Sequence, residues 1–234
     1  MVAAMLLAHL MADYVFQWDG LVRWKSKHLS GVLFHGGIVL IVTWLLSLPY
    51  TRTWWPYALF IGVTHTFIDA LRTRASRVTG RTALGLFLLD QALHLMIILA
   101  ALSISGYLVP NQMMEAIVRQ ARDFHILAFL IGYTFITMPT WIILRFLVWG
   151  LVDNTETMTL SSTDKYIGIL ERGLITTLVI MGQFFLIPLV AIPRLILDGP
   201  KMRKNGITSG YVTELLASTG VAIAVGLILR RIWH

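Results

Sequence analysis

Three pairs of ionisable residues lie inside apolar segments that would otherwise be plain membrane helices. The segments read HLMAD, HTFID and DQALH, and they hold His9 with Asp13, His65 with Asp69, and Asp90 with His94. Each pair is spaced i, i+4, which on an α-helix places both side chains on one face about one turn apart. A further histidine, His35, lies in another apolar segment, GVLFHGG. The spacing therefore predicts one polar cluster built from four helices.

Burying ionisable side chains in a membrane costs free energy, so some interaction must compensate for this cluster. Each one costs on the order of 3 kcal/mol near the bilayer centre, and such residues normally face the interior of a bundle. Three interpretations remain open: each His could serve only its own Asp, the residues could relay protons or ions, or they could bind metal. The repetition of the pair favours the metal site.

The residue types indicate which metals would fit. Imidazole and carboxylate suit zinc, iron or manganese, and the chain has no cysteine to supply a thiolate. We predict a divalent transition metal, zinc in the first place, bound as one or two ions because the candidates outnumber the ligands of one tetrahedral ion. The predicted ligands are His9, Asp13, His35, His65, Asp69, Asp90 and His94. A carboxylate left over among Asp13, Asp69 and Asp90 would act as general base or orient a histidine.

The composition indicates the kind of fold that positions these residues. The chain has 234 residues, 57% hydrophobic and 13% charged, with a mean hydropathy of +0.75. Apolar runs of roughly 20 residues are long enough to cross a bilayer, so we predict an all-α polytopic bundle of about seven or eight spans with a short first helix. We expect residues 1–108 to form a membrane domain that carries the cluster, and residues 109–234 to supply helices that pack on it.

The helix boundaries can be estimated from the apolar runs. The predicted helices cover residues 2–18, 30–49, 55–72, 83–107, 124–151, 166–197 and 208–229, with polar segments at 111–123 and 153–165. Pro139 predicts a kink in the fifth run. The run 166–197 is too long for one ordinary span, and two interpretations stay open: one kinked helix, or a hairpin that turns near Gly182. Glu171 and Arg172 are expected to pair across helices.

The distribution of basic residues predicts a topology. Basic loops at 19–29 and 72–82 are expected on the cytoplasmic side, which puts the cluster in the inner half of the membrane. The net charge of +7 then reflects these loops and contacts with membrane lipids, and no nucleic-acid partner is expected. The arginines after His65 could hold a phosphate headgroup, although the topology rule alone explains them. No removable signal peptide is expected at the N-terminus.

Several of these motifs together resemble a known family. The segments HLMADYVFQ at 9–17, HTFIDALR at 65–72 and LLDQALHL at 88–95 are similar to the bacterial membrane family called domain of unknown function 3307, over roughly residues 5–105. The segment YIGILERGLI, which begins at residue 166, is similar to the C-terminal extension of some members. The family has no established activity, so the resemblance implies a location in the bacterial cytoplasmic membrane and no reaction.

The function that the sequence favours is metal-dependent hydrolysis or group transfer on a lipid-like or membrane-embedded substrate. A metal ion would acidify a bound water and so supply a nucleophile at neutral pH. The alternative is an ion, proton or metal transporter that uses the same residues as a relay or a transient binding site. A third possibility is a membrane scaffold without catalytic activity.

Overall fold

The computed structural model describes residues 1–75, 81–108, 125–151, 162–204 and 208–233. Over these residues the chain is all-α, with ten α-helices and no β-strand. The helices are α1 (Val2–Leu10), α2 (Asp19–Lys25), α3 (Leu29–Ser47), α4 (Trp55–Ala75), α5 (Arg81–Ile104), α6 (His125–Phe135), α7 (Met138–Leu151), α8 (Ser162–Ile180), α9 (Ile187–Lys204) and α10 (Thr208–Trp233). Of the two predicted polar segments, 111–123 and most of 153–165 lie outside the described residues. The end of the segment 153–165 is helical, because α8 begins at Ser162.

Three helices in the described part of the chain are long and apolar enough to cross a membrane. They are the segments Leu29–Ser47, Leu84–Ile104 and Gly210–Trp233, and α6 with α7 would make a fourth if the two form one broken span. The predicted count of seven or eight spans is therefore not confirmed. Helix α4 has sufficient length, with 21 residues, but His65, Asp69 and its arginines lower its hydropathy.

The distribution of apolar side chains is that of a protein surrounded by lipid. On α4, Leu59, Val63 and Phe67 are exposed, whereas His65 and Asp69 are only 2% and 3% exposed. A helix of a water-soluble protein shows the reverse pattern. An apolar surface around a polar interior is the arrangement expected for ionisable residues within a membrane.

The chain forms two compact units, which we describe separately. The first contains Met1–Thr79 and Gly85–Thr134, and the second contains Gly80–Leu84 and Phe135–His234. In the first unit, α1 is buried along almost its whole length, and its Met5 packs with Val39 of α3 and Leu102 of α5. Because α1 is enclosed by other helices, it is apolar on all sides apart from His9.

The N-terminal helix differs from its predicted extent of 2–18. Its α-helical part ends at Leu10, and Met11–Val15 continue as a π-helical turn, in which Phe16 N–H donates to the Met11 carbonyl at 2.8 Å. The predicted loop 19–29 contains α2, which is anchored by Leu21 at 1% exposure. A buried leucine followed by basic residues makes this segment amphipathic, and the basic residues alone suggested a loop. Single π-turns occur frequently at functional sites.

Helices α3 and α4 approach each other closely at two glycines. A Cβ atom on Gly36 would lie 1.8 Å from Thr66 Oγ1, and one on Gly62 would lie 2.8 Å from the Cβ of Leu40. Small residues allow backbones to pack this closely in membrane helices. Since His35 and His65 immediately precede Gly36 and Thr66, this contact also brings the two imidazoles together.

In the second unit, helices α8 and α9 form a hairpin. Arg194 Nη1 donates to Glu171 Oε2 at 2.9 Å, although the two residues are 23 positions apart and would be separated by roughly 35 Å along a single helix. The turn contains Gly182 at φ 75°, a left-handed conformation that glycine adopts without strain. Of the two interpretations left open for 166–197, the structure contains the hairpin.

The chain breaks between α6 and α7, close to the predicted kink. Pro139 is the second residue of α7, a position where a missing N–H costs little. The side chain of Arg172 binds the backbone of this break: it donates to the carbonyls of Ile136 and Thr137, and also to Ser218 Oγ at 3.2 Å. Glu171 pairs across helices as predicted, whereas Arg172 binds backbone carbonyls and a hydroxyl. The sequence shows a buried arginine but not that an irregular backbone segment lies beside it.

Candidate metal centre

All seven predicted site residues lie together in the first unit. Helix α1 and its π-turn supply His9 and Asp13, α3 supplies His35, α4 supplies His65 and Asp69, and α5 supplies Asp90 and His94. No side chain in this set is more than 9% exposed. We call these seven residues the His/Asp cluster.

The contacts within the three i, i+4 pairs are not the shortest ones in the cluster. The His–Asp separations are 3.5 Å for His9–Asp13, 3.5 Å for His65–Asp69 and 3.8 Å for Asp90–His94. The closest approaches instead join different helices, since His35 Nε2 lies 3.2 Å from both Asp13 Oδ1 and His65 Nε2. The pairs therefore do not serve only themselves, and the cluster forms one network across four helices.

Four ligand atoms form two triangles that share one edge. The shared edge joins His35 Nε2 and His65 Nε2 at 3.2 Å. Asp69 Oδ2 completes one triangle at 3.6 and 3.5 Å, and Asp13 Oδ1 completes the other at 3.2 and 3.5 Å. In a tetrahedral zinc site with metal–ligand bonds of about 2.0 Å, neighbouring ligand atoms are about 3.3 Å apart. Either triangle thus has the size of one face of such a site.

Several buried polar atoms of the cluster lack a hydrogen-bond partner among the described residues. Asp13 Oδ1 is buried and, among the described residues, has no hydrogen-bond donor, although two imidazole nitrogens face it. Asp90 Oδ1, His35 Nδ1 and both ring nitrogens of His94 are likewise buried without a hydrogen-bond partner in this part of the chain. Buried polar atoms are normally hydrogen-bonded. A metal ion is one ligand that satisfies buried acceptor atoms of this kind.

Gln91 links the two sides of the cluster and orients His9. Its amide Nε2 donates to Asp90 Oδ2 at 3.2 Å, so its Oε1 is the atom that accepts from Tyr14 O–H at 2.8 Å and lies 3.2 Å from His9 Nε2. An acceptor at that position requires His9 Nε2 to carry the proton. In the neutral ring the lone pair is then on Nδ1, which lies 3.5 Å from Asp13 Oδ2. A histidine held in this way is typical of metal ligands.

A small cavity adjoins the histidines. Its volume is about 10 Å³, and its walls include His9, His65, His94 and Thr43, with the apolar remainder supplied by Val39 and the isoleucines Ile61, Ile97 and Ile98. That volume suits about one water molecule. The imidazoles of His65 and His94 stack with ring centroids 4.0 Å apart, and His9 lies 5.8 Å from His94. A reacting water beside the candidate ligands would fit in this cavity.

Two basic residues bind the carboxylates at one end of the cluster. Lys25, at the end of α2, donates through Nζ to Asp69 Oδ2 at 2.6 Å. Arg72, one turn beyond Asp69 on α4, donates through Nη1 to Asp90 Oδ2. These contacts lower the cost of burying two carboxylates.

Four residues of the centre were not assigned a role from the sequence: Tyr14, Gln17, Lys25 and Gln91. Gln17 Nε2 lies 3.1 Å from His35 Nε2, and Lys25 counted only as a topology signal. The sequence did offer a signal for Gln91, because a polar amide directly after Asp90 in an apolar helix indicates a residue of the polar cluster. Nothing in the spacing indicated Lys25, because its approach depends on how α2 folds back against α3.

Comparisons with known proteins give one result. Neither the curated proteins nor the solved structures contain a match to the chain. The sequence profile of the family described as "Protein of unknown function (DUF3307)" matches residues 1–125, which is more than half of the 234 residues and includes the whole His/Asp cluster. This match confirms the resemblance drawn from the motifs, and the chain belongs to the DUF3307 family.

Proposed function

We propose that the protein is an intramembrane metal-dependent hydrolase or transferase that acts on a lipid-like or membrane-embedded substrate. The observation that carries the proposal is the pair of ligand triangles on the edge between His35 and His65, with buried atoms of Asp13 and Asp90 that lack hydrogen bonds. A site of this ligand type suits zinc, and a bound divalent ion would lower the pKa of a coordinated water towards neutrality.

The residues of the cluster then divide into three tasks. His35 and His65 would bind the ion together with Asp69 or Asp13. The carboxylate that does not bind the ion would accept a proton from a water held at the ion, as a general base. Gln91 positions His9, and Asp90 with His94 offers ligands for a second ion beside Asp69, since one ligand atom from each of these three residues lies within 4.8 Å of the others.

The protein is proposed to reside in the bacterial cytoplasmic membrane as a polytopic bundle of about seven or eight spans. The lipid-type exposure of α3, α4 and α5 supports a membrane environment. The His/Asp cluster would lie in the inner half of the bilayer, because the basic segments beside Lys25 and Arg72 favour the cytoplasmic side. Membrane lipids are accordingly its immediate partners.

One observation favours transport as a second candidate. Lys25 Nζ contacts Asp69 Oδ2, the same oxygen that completes one ligand triangle. A lysine that competes with an ion for one carboxylate would weaken binding and favour release. A transporter would bind the ion transiently and move it across the membrane, whereas an enzyme would retain it through many turnovers.

The proposal is tested first by elemental analysis. The protein, purified without chelators, is expected to contain about one or two zinc-class ions per chain, because the ligands offer one or two tetrahedral sites. His65→Ala is expected to lower that content strongly, since His65 Nε2 belongs to both triangles. His28→Ala is the matched control, because His28 is exposed and lies outside the cluster.

The outcomes separate the candidates. Metal-free wild-type protein, or equal metal content in the two histidine variants, would contradict the metal centre. If the protein binds metal, ion uptake is measured with the protein in sealed vesicles. Uptake that His65→Ala abolishes supports the transporter, and retained ion with no uptake contradicts the transporter.

A further inference from the structure

Two cations from different helices lie at the same end of the His/Asp cluster. Lys25 contacts Asp69 and Arg72 contacts Asp90, and their side chains are 17% and 41% exposed. The carboxylates themselves are 3% and 5% exposed. The basic groups therefore lie between the buried ligands and the surroundings of the protein, where an incoming substrate would meet them first.

The charges in this region change sign when an ion binds. Among the described side chains, the carboxylates of Asp13, Asp69 and Asp90 face two permanent cations, Lys25 and Arg72, which gives these five groups a net charge of −1. One divalent ion changes this to +1, and a second ion to +3. Excess positive charge in a poorly solvated site attracts an anion. The ion-loaded centre is thus electrostatically suited to an anionic substrate.

The shapes of the two cations favour a phosphate group. Only one nitrogen of the Arg72 guanidinium contacts Asp90, and the guanidinium carbon lies 5.9 Å from the centroid of the Phe87 ring. Its planar fork can present further N–H donors to an oxyanion, and Lys25 adds a mobile point charge. A phosphate has enough oxygens to contact the metal ion and both cations at once, whereas a carboxylate has only two.

The surroundings of Lys25 place it where headgroups would lie. Helix α2 carries Trp18 just before its start and Trp24 within it, and these are 55% and 39% exposed. Exposed tryptophans of this kind mark the membrane–water interface. The end of α2 rests on Gly31, where an added Cβ would lie 2.6 Å from the backbone nitrogen of Lys25. This close contact fixes the lysine at the margin of the cluster.

We propose that Lys25 and Arg72 bind a phosphate group of the substrate and present it to the metal centre. This inference rests on the proposed function, because it assumes a bound ion. The phosphate could belong to a lipid headgroup or be free in solution. The chemistry is shared between these sources, and the experiment distinguishes them.

The test measures binding to zinc-loaded protein in detergent by native mass spectrometry. The probes are phosphatidic acid and diacylglycerol with the same acyl chains, so that they differ only by the phosphate. Wild-type protein is expected to prefer phosphatidic acid. Lys25→Gln and Arg72→Gln are each expected to weaken that binding by about tenfold, as for the loss of one charged hydrogen bond. Lys27→Gln is the matched control, because it removes an exposed charge near α2 and is expected to leave the affinity nearly unchanged.

Inorganic phosphate identifies the source. If it displaces phosphatidic acid at millimolar concentration, and Arg72→Gln abolishes the displacement, the subsite accepts free phosphate; binding of phosphatidic acid without displacement assigns the site to headgroups. The proposal is overturned if wild-type protein binds both lipids equally, a comparison that needs no variant, or if Lys27→Gln weakens binding as much as Lys25→Gln does. Zinc content is measured in every sample, so that absence of metal, which refutes the proposed function, is distinguished from a metal centre without phosphate binding.

Discussion

Replacing Gly36 by alanine tests the packing that brings the two shared histidines together. The new Cβ would lie 1.8 Å from Thr66 Oγ1 and 3.0 Å from Thr66 Cβ. Rotating the threonine removes only the first contact, and it breaks the hydrogen bond from Oγ1 to the Gly62 carbonyl at 2.6 Å. Helices α3 and α4 must therefore move apart by at least a few tenths of an ångström.

The expected loss of stability can be measured against a control substitution at the neighbouring glycine. Overpacking of this kind costs about 1–3 kcal/mol, and alanine returns up to about 1 kcal/mol of helix propensity. A Cβ on Gly37 meets nothing within 4 Å, so Gly37→Ala gains helix propensity without the cost of overpacking. We expect Gly36→Ala to be less stable than Gly37→Ala by about 1–3 kcal/mol when thermal unfolding is followed in detergent.

The same variant should affect the proposed metal centre, because His35 is adjacent to Gly36. Zinc content is expected to fall in Gly36→Ala, since separation of the helices lengthens the 3.2 Å contact between the Nε2 atoms of His35 and His65. Adding Thr66→Ala removes Oγ1 and Cγ2 but keeps the 3.0 Å contact with the Cβ at position 66, so it should recover part of the stability and of the zinc content. Equal stability and equal zinc in Gly36→Ala and Gly37→Ala would refute the reasoning.

Three further predictions concern the polar groups around the centre and the second unit. Gln91→Leu removes the acceptor that orients His9 and should weaken zinc binding about 10–100-fold, measured by competition with a chromophoric chelator; unchanged affinity would contradict the role. A strong chelator should lower the melting temperature of wild-type protein, because a ligand that binds only the folded state stabilises it, but not that of His65→Ala. Arg172→Met leaves the carbonyls of Ile136 and Thr137 without their donor and should destabilise the protein by about 1–3 kcal/mol, whereas Arg145→Met, which loses a ring contact with Trp141, should cost less in the same thermal assay.

The convergence of the cluster could be predicted because helical periodicity and burial cost act on the same residues. Four-residue spacing gives each pair a common face, and the cost of charge in lipid turns that face inwards. What the spacing could not give is the connectivity between helices. His35 has no partner of its own at i, i+4, yet it makes the closest contacts in the cluster, because Gly36 allows α3 to approach α4.

Other features depended on backbone geometry that apolar runs do not encode. The hairpin at Gly182 is defined by a glycine at positive φ and by the ion pair between Glu171 and Arg194. The sequence shows both charged residues but not that they lie close together. The number of spans was predicted from run lengths alone. Helix α4 shows the weakness of that reasoning, because the site residues His65 and Asp69 lower the hydropathy by which membrane spans are counted.

The unsatisfied atoms of the cluster give the proposed ion a role in stability as well as in chemistry. Five buried atoms of Asp13, His35, Asp90 and His94 have no hydrogen-bond partner among the described residues. At about 1–3 kcal/mol each, they would cost about as much as the whole stability of a typical domain. Apolar side chains of similar size would avoid that cost. The burial of these atoms supports the proposed metal sites, because an ion between His35 and His65 would satisfy Asp13 Oδ1 and a second ion would satisfy atoms of Asp90 and His94.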